Sequence, residues 1–285
     1  MREIKKVGVV GCGLMGSGIA QVAAAAGYEV VVREVDDERL AKGMALIDRF
    51  LSKGVERGKL TRDEREKILG RIEPTTHLSE FADADIVIEA VVEDVGAKEK
   101  VFGELDNVLS DKAIRCSNTS SLCVTELAAA TKHPDRFVGL HFFSPVPLMD
   151  VVEVIPTLMT SAELTKRVTE FSRNLGKTPI LAPDRPGFIV NRLLVPYLLD
   201  AIRALEEGVG TREDIDAGMK LGSGHPMGPL ELLDFVGLDT TYYIANIMYD
   251  EFREKRFAPP PLLRRMVLAG HLGRKSGRGF YEYAE

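Results

Sequence analysis

A chain of 285 residues can bury a large core, as one domain or as two. With 45 % hydrophobic and 28 % charged residues it has the composition of an ordinary globular protein. A formal net charge of −6 gives no electrostatic reason to expect nucleic acid or an anionic membrane as partner, and no apolar run approaches the ~18–20 residues that span a bilayer.

The N-terminal stretch Lys5–Asp36 carries the strongest local signal. Val7, Val9 and Val10 predict a short buried strand, and Gly11, Gly13 and Gly16 follow at G-x-G-x-x-G spacing. An Ala-rich segment from Ile19 to Ala26 predicts a closely packed helix ended by Gly27, and a second strand, Glu29–Arg33, closes on Glu34. The first glycine permits a tight turn, the second lets backbone approach a pyrophosphate, and the third packs helix against strand. Leu14 and Met15 complete that loop as candidate cofactor contacts. The helix N-terminus then turns its N–H groups and its dipole toward the phosphates. Glu34 is placed to accept hydrogen bonds from the adenosine ribose hydroxyls. A glycine-rich turn between ordinary elements is the plain alternative. Strand, helix, second strand and terminal acid, in that order within ~30 residues, favour dinucleotide binding.

Next, Leu40, Met44, Ile47, Leu51 and Val55 recur at helical steps, with Lys42, Arg49, Lys53 and Arg57 on the opposite side. Gly58 ends this helix, and Thr61 with Glu64 gives a capping-box start to a second. The basic side is either a solvated face or a surface for a phosphorylated ligand tail. Strands are expected at Ile72–Thr75, Ala84–Ala90, Ala113–Cys116 and Phe137–Leu140, with a helix over Ala97–Leu109. Val91–Asp94 forms a loop at a strand's C-terminal end, where ligands of open α/β sheets bind. Ser117–Ser121 is a polar loop at another such end, a mere turn or a place where hydroxyls meet substrate.

His141 stands at the end of its strand, and Val151–Ile155 sets Glu153 among apolar residues. A buried carboxylate without a partner is very costly. His141 is the nearby basic candidate, which favours a His–Glu pair over a backbone-bonded histidine and an edge-strand charge. After a helix at Leu164–Leu175 and a strand at Lys177–Leu181, the run Pro183–Gly187 punctuates the chain. Beyond it come only helices, at Phe188–Glu207, Arg212–Leu221, Leu230–Phe252 and Leu262–Ala269. A boundary is therefore expected near residues 182–185. Asn191 is a polar residue in an apolar helix start. The helices are richer in apolar residues than their own core needs, which points to a homodimer. Cys12, Cys116 and Cys123 include no C-x-x-C pair and form an odd set; reduced thiols, a cytoplasmic location and no metal site are expected. No signal peptide is expected ahead of the first strand.

These segments together resemble the short-chain L-3-hydroxyacyl-CoA dehydrogenases, and within them most closely the bacterial 3-hydroxybutyryl-CoA dehydrogenases. The resemblance rests on VGVVGCGLMGSGIAQ, EAVVED, SNTSSL, HFFSPVP, VEVI, PGFIVNRLL, HPMGPLELLDFVGLD and GRKSGRGFYEY, eight segments in the family's order. It implies an α/β fold: a Rossmann-type, doubly wound, mostly parallel sheet over residues 1–183 with a helical insertion at about 36–70. An all-helical domain, residues 184–285, follows for substrate and dimerisation. Carried over by position, His141 is the catalytic acid/base with Glu153 its partner, and Ser120 and Asn191 hold the acyl oxygens. Glu93, Lys98, Asn118, Ser120 and Lys275 are implied cofactor contacts, and Lys53 and Arg57 meet the CoA nucleotide.

The implied reaction is reversible interconversion of short-chain (S)-3-hydroxyacyl-CoA and 3-oxoacyl-CoA with NAD. Arg33 beside Glu34 leaves NADP open. The chain departs from the family at Ser144, where Asn is usual, and at Asp150, where a basic residue is common. Two alternatives remain: a dehydrogenase of a small free hydroxy acid on the same fold, and a non-catalytic NAD-binding protein.

Overall fold

The computed structural model describes residues 3–283. The chain divides into two compact units between Asp184 and Arg185. The first opens with β1 (Lys6–Val10), α1 (Leu14–Ala25) and β2 (Glu29–Arg33). An insertion of α2 (Asp37–Glu56) and α3 (Arg62–Leu69) leads to β3 (Ile72–Thr75). Then come β4 (Ile86–Glu89), α4 (Val95–Leu105), β5 (Ile114–Ser117), α5 (Val124–Ala129) and β6 (Phe137–Phe142). β7 (Val151–Pro156), α6 (Ala162–Asn174) and β8 (Thr178–Leu181) complete it.

The eight strands form one sheet in the order β3-β2-β1-β4-β5-β6-β7-β8. Every neighbouring pair is parallel except β6 and β7. This is the doubly wound, mostly parallel arrangement expected from the sequence. The chain winds outward in both directions from β1, so the β1/β4 junction is the switch point at which such sheets open a crevice. β4 is buried along its whole length, as continuous apolar strands of parallel sheets are.

Local signals account for several element ends. Asp36 caps α2 by accepting the Arg39 N–H at 2.8 Å, and Gly58 follows with φ +66°. Thr61 and Glu64 exchange both bonds of the capping box that starts α3. Three elements differ from the sequence reading. α4 starts at its Asp94 cap and stops at Leu105, so Leu109 is buried beyond the helix rather than on its face. α5 has no periodic signal in the sequence; its first N–H groups, Val124 and Thr125, are met by Asp184 at 2.9 and 2.6 Å. β6 runs past Leu140 through Phe142, because its pairing with β7 continues across His141–Glu153 and Phe142–Val152.

The second unit contains α7 (Val190–Glu206), α8 (Arg212–Ser223), α9 (Pro229–Val236), α10 (Leu238–Phe252) and α11 (Pro261–Leu268). The single helix expected over Leu230–Phe252 is two, broken at Gly237 with φ +104°. α7 starts at Val190 and not at Phe188, whose φ of 46° is left-handed and outside any α-helix. Two buried carboxylates organise this unit. Asp216 accepts the N–H groups of Leu230 and Glu231 at the head of α9, at 2.8 and 3.0 Å. Asp234 accepts those of Phe280 and Tyr281 at 2.8 and 2.9 Å, tying the C-terminal stretch to α9. Burial pushes the Asp234 carboxyl above its usual range, partly offset by these donors. Among the described residues no helix is long and apolar enough to cross a membrane.

Candidate active site

The C-terminal ends of β1, β2, β4, β5 and β6 lie along one edge of the sheet, and all of the first unit's candidate residues except Lys53 and Arg57 gather there. In the turn after β1 each glycine has its own steric reason. Gly11 has φ +97°, and a Cβ there would lie 2.6 Å from the Ala90 carbonyl oxygen. A Cβ on Gly16 would lie 1.7 Å from the Gly11 carbonyl oxygen, so α1 approaches β1 only with hydrogen at that position. Gly13 has an ordinary φ of −73° and nothing within 4 Å of where its Cβ would be. Its bare side faces open space rather than packing. No side chain caps α1 and no acid lies in its first turn, so its leading N–H groups remain available to an anion. These features fit a dinucleotide pyrophosphate.

Glu34, at the end of β2, leans on the same loop. Its Oε2 accepts the Cys12 N–H at 3.0 Å and its Oε1 the Val35 N–H at 2.7 Å, while a carboxylate keeps further lone pairs for ribose hydroxyls. Burial, with the Glu34 charge beside it, pushes the Cys12 thiol up to about 12, so it packs as a neutral group. Arg33 donates to the Thr76 carbonyl at 3.4 Å.

At the ends of β4 and β5 the structure shows a polar network. Lys98, on α4 and 1 % exposed, reaches Glu89 at 2.6 Å and Glu93 at 3.2 Å. Fully buried Glu89 also accepts from Ser117 Oγ at 2.6 Å and from the Val91 N–H at 2.7 Å. Glu93 accepts from Thr119 Oγ1 at 2.6 Å and from the Ser120 N–H at 2.8 Å. Burial alone would raise the Glu93 carboxyl, but the Lys98 ammonium and these donors outweigh it and hold it below the usual range. The Ser117–Ser121 loop is thereby laced to Glu93, with Ser120 Oγ 3.3 Å from the carboxylate. Asn118 turns the other way, its Oδ1 accepting the Phe142 N–H on β6 at 2.8 Å. The sequence reading missed Glu89, and it flagged Ser117 and Thr119 only as members of a polar loop. Glu89 carries the same signal as Glu153: it ends the apolar run Ile86–Ile88, and a buried carboxylate there needs a cation.

His141 and Glu153 are directly opposed in the antiparallel β6–β7 pair, and their Nδ1 and Oε2 are 2.7 Å apart. Both are buried. A carboxylate only accepts, so neutral His141 carries its hydrogen on Nδ1 and Nε2 is the basic ring nitrogen. The Phe143 ring lies 4.5 Å from the imidazole, centroid to centroid.

A family model described as 3-hydroxyacyl-CoA dehydrogenase, NAD binding domain, matches residues 6–185, and one described as 3-hydroxyacyl-CoA dehydrogenase, C-terminal domain, matches residues 187–283. The chain belongs to the 3-hydroxyacyl-CoA dehydrogenase family. It is 51 % identical over 282 residues to a 3-hydroxybutyryl-CoA dehydrogenase of Mycobacterium tuberculosis, covering 98 % of this chain and 99 % of that one. Among solved structures it matches FadB2 of M. tuberculosis with a TM-score of 0.97 at 51 % identity, over 99 % of this chain and 100 % of that one. It matches the (S)-3-hydroxybutyryl-CoA dehydrogenase PaaH1 of Ralstonia eutropha with a TM-score of 0.96 at 43 % identity, over 99 % and 100 %.

Four of the 3-hydroxyacyl-CoA dehydrogenase positions remain, two in each unit. Lys53 and Arg57 are exposed at the end of α2 and have no ion-pair partner among the described residues, unlike Lys42, which meets Glu38 at 2.6 Å. Asn191 and Lys275 belong to the second unit. Asn191 is half-buried in the first turn of α7, and the Lys275 ammonium is 2.6 Å from Asp239. The family departure at Asp150 has a local counterpart. It sits near Lys177, whose Nζ donates to the Val146 and Met149 carbonyls at 2.7 and 2.8 Å. The two glycines of the turn should separate by experiment. Gly13→Ala is expected to leave thermal stability within about 0.5 kcal/mol of the parent while weakening NAD binding at least ~10-fold, because only the ligand needs that space. Gly16→Ala is expected to cost roughly 2 kcal/mol or more in denaturant unfolding, because backbone must move. Equal loss of stability in both variants would contradict the assignment.

Proposed function

We propose that this protein interconverts short-chain (S)-3-hydroxyacyl-CoA and 3-oxoacyl-CoA, with His141 as the acid/base and Glu153 as its partner. The supporting observation is the buried 2.7 Å contact between the two, on the edge of the sheet that carries the glycine turn. NAD, when bound, supplies the hydride acceptor. His141 Nε2 takes the proton of the 3-hydroxyl in the oxidative direction and returns it in reduction. Glu153 fixes the tautomer that leaves Nε2 basic and stabilises the imidazolium formed. Ser120 and Asn191 are the proposed contacts of the acyl oxygens. Gly11, Gly13, Leu14, Met15, Gly16 and Glu34 would hold the adenosine diphosphate half of the coenzyme. Glu93, Lys98, Asn118, Ser120 and Lys275 would serve its nicotinamide half. His141→Gln is expected to lower kcat by at least ~10²-fold with NAD binding intact. Near-normal turnover in that variant would defeat the mechanism.

Lys53 and Arg57, exposed and without ion-pair partners, are proposed to meet the phosphates of the CoA nucleotide. Lys53→Glu/Arg57→Glu is expected to raise KM for acetoacetyl-CoA about tenfold or more and to leave kcat nearly unchanged. Activity on free hydroxy acids matching that on CoA thioesters would support the free-acid reading instead.

Leu193, Leu221 and Leu268 are each more than two-thirds exposed on the helices of the second unit, which supports a homodimer formed there. Solution mass at micromolar concentration is expected to be twice the 31.3 kDa of one chain; a monomer would overturn this. A cytoplasmic location belongs to the same proposal, resting on three cysteines that the sequence does not pair.

A further inference from the structure

The buried network at the ends of β4 and β5 holds two carboxylates against one ammonium. Strand order says which part of a dinucleotide lies over it. The pyrophosphate position is fixed at β1 by Gly13, and Glu34 on β2 draws the adenosine to one side. The nicotinamide half must extend to the other side, toward His141 on β6. Only β4 and β5 lie between, so the ring passes within about two strand spacings, ~10 Å, of Glu89. The oxidised ring carries a positive charge and the reduced ring none.

We propose that the Glu89–Lys98–Glu93 triad discriminates between the redox states of the coenzyme, its surplus carboxylate favouring oxidised NAD over NADH. Glu89 acts from beneath the site as a positioning residue. It is fully buried, is held by the Lys98 ammonium, the Ser117 hydroxyl and the Val91 N–H, and does not itself reach the ligand surface. Glu93 completes the triad nearer the loop, and its lowered carboxyl keeps it ionised at neutral pH. The Ser117 and Thr119 hydroxyls and the Val91 and Ser120 N–H groups also donate to these carboxylates without adding charge. Removing one of the two negative charges therefore changes the field on the ring with little change in shape. At an effective dielectric constant of ~20 over ~10 Å that is about a tenfold effect on an equilibrium.

The inference rests on the NAD-dependent reading above, and the experiment separates the two. Dissociation constants of NAD and NADH are measured by titration calorimetry on the full-length parent, Glu89→Gln, Glu93→Gln and Ser117→Ala. Glu89→Gln is expected to raise the ratio Kd(NAD)/Kd(NADH) about tenfold, equivalent to a rise of about 30 mV in the midpoint potential of the bound couple. Glu93→Gln, at the more exposed end of the triad, is expected to move the ratio in the same direction and serves where Glu89→Gln does not fold. Ser117→Ala removes a donor but no charge and is expected to leave the ratio within twofold of the parent. Equal weakening of both coenzymes by the two carboxylate variants, or an unchanged ratio, would overturn the inference and leave the triad merely structural. A Ser117→Ala shift as large as that of Glu89→Gln would overturn it too. A parent protein that binds neither coenzyme would overturn the cofactor reading itself.

Discussion

Helix α1 stands on the end of β1 through a contact that no side chain permits: the Gly11 carbonyl oxygen occupies the space where a Cβ on Gly16 would be. Much of the first unit follows from that approach. It aims the first turn of α1 at the crevice beside β1, which sets where an anion can sit. It brings Cys12 against α2, where a Cβ on Gly43 would lie 2.3 Å from the thiol sulfur. The insertion that carries Lys53 and Arg57 is thus packed directly on the nucleotide turn. Glu34 accepts the Cys12 N–H and holds the end of β2 to the same turn. Sterics at two hydrogens therefore position groups that elements far apart in sequence contribute.

Farther along the edge the constraint changes from steric to electrostatic. Glu89 and Glu153 are both fully buried, and each faces a basic side chain at about hydrogen-bond distance. A buried ion pair such as Glu89–Lys98 contributes little net stability, because desolvation offsets most of the attraction. The use of both contacts is in orientation. Reversal of chain direction at β7 matters here, since residues directly opposed in an antiparallel pair project to the same face. A one-residue slip in the β6–β7 register would turn Glu153 to the opposite face from His141.

Much of the sheet was legible in the sequence because its strands are short apolar runs bounded by turn residues. Ile72–Thr75 is a strand over the expected residues, and β4, β5 and β7 differ from expectation by one or two at their ends. α5 was not legible: it is short, and its capping carboxylate, Asp184, comes some sixty residues later. The break at Gly237 was hidden because apolar residues continue at helical spacing on both sides of it. At the site, a buried carboxylate among apolar residues pointed to the His141–Glu153 pair. Glu89 is less legible, because its cation, Lys98, comes from the following helix rather than from a neighbouring strand.

Burial separates two kinds of work in this chain. The groups proposed for proton transfer and coenzyme polarity, His141, Glu153, Glu89 and Lys98, are buried and paired. Those proposed for the nucleotide tail of the substrate, Lys53 and Arg57, are solvent-exposed. Charges in water are screened within about 8 Å at physiological ionic strength, whereas buried charges are screened far less. Capture of a CoA tail by the proposed Lys53 and Arg57 contacts would therefore be the step that salt weakens. The imidazole and its carboxylate are screened far less, because they lie 2.7 Å apart with Glu153 fully buried and His141 only 6 % exposed.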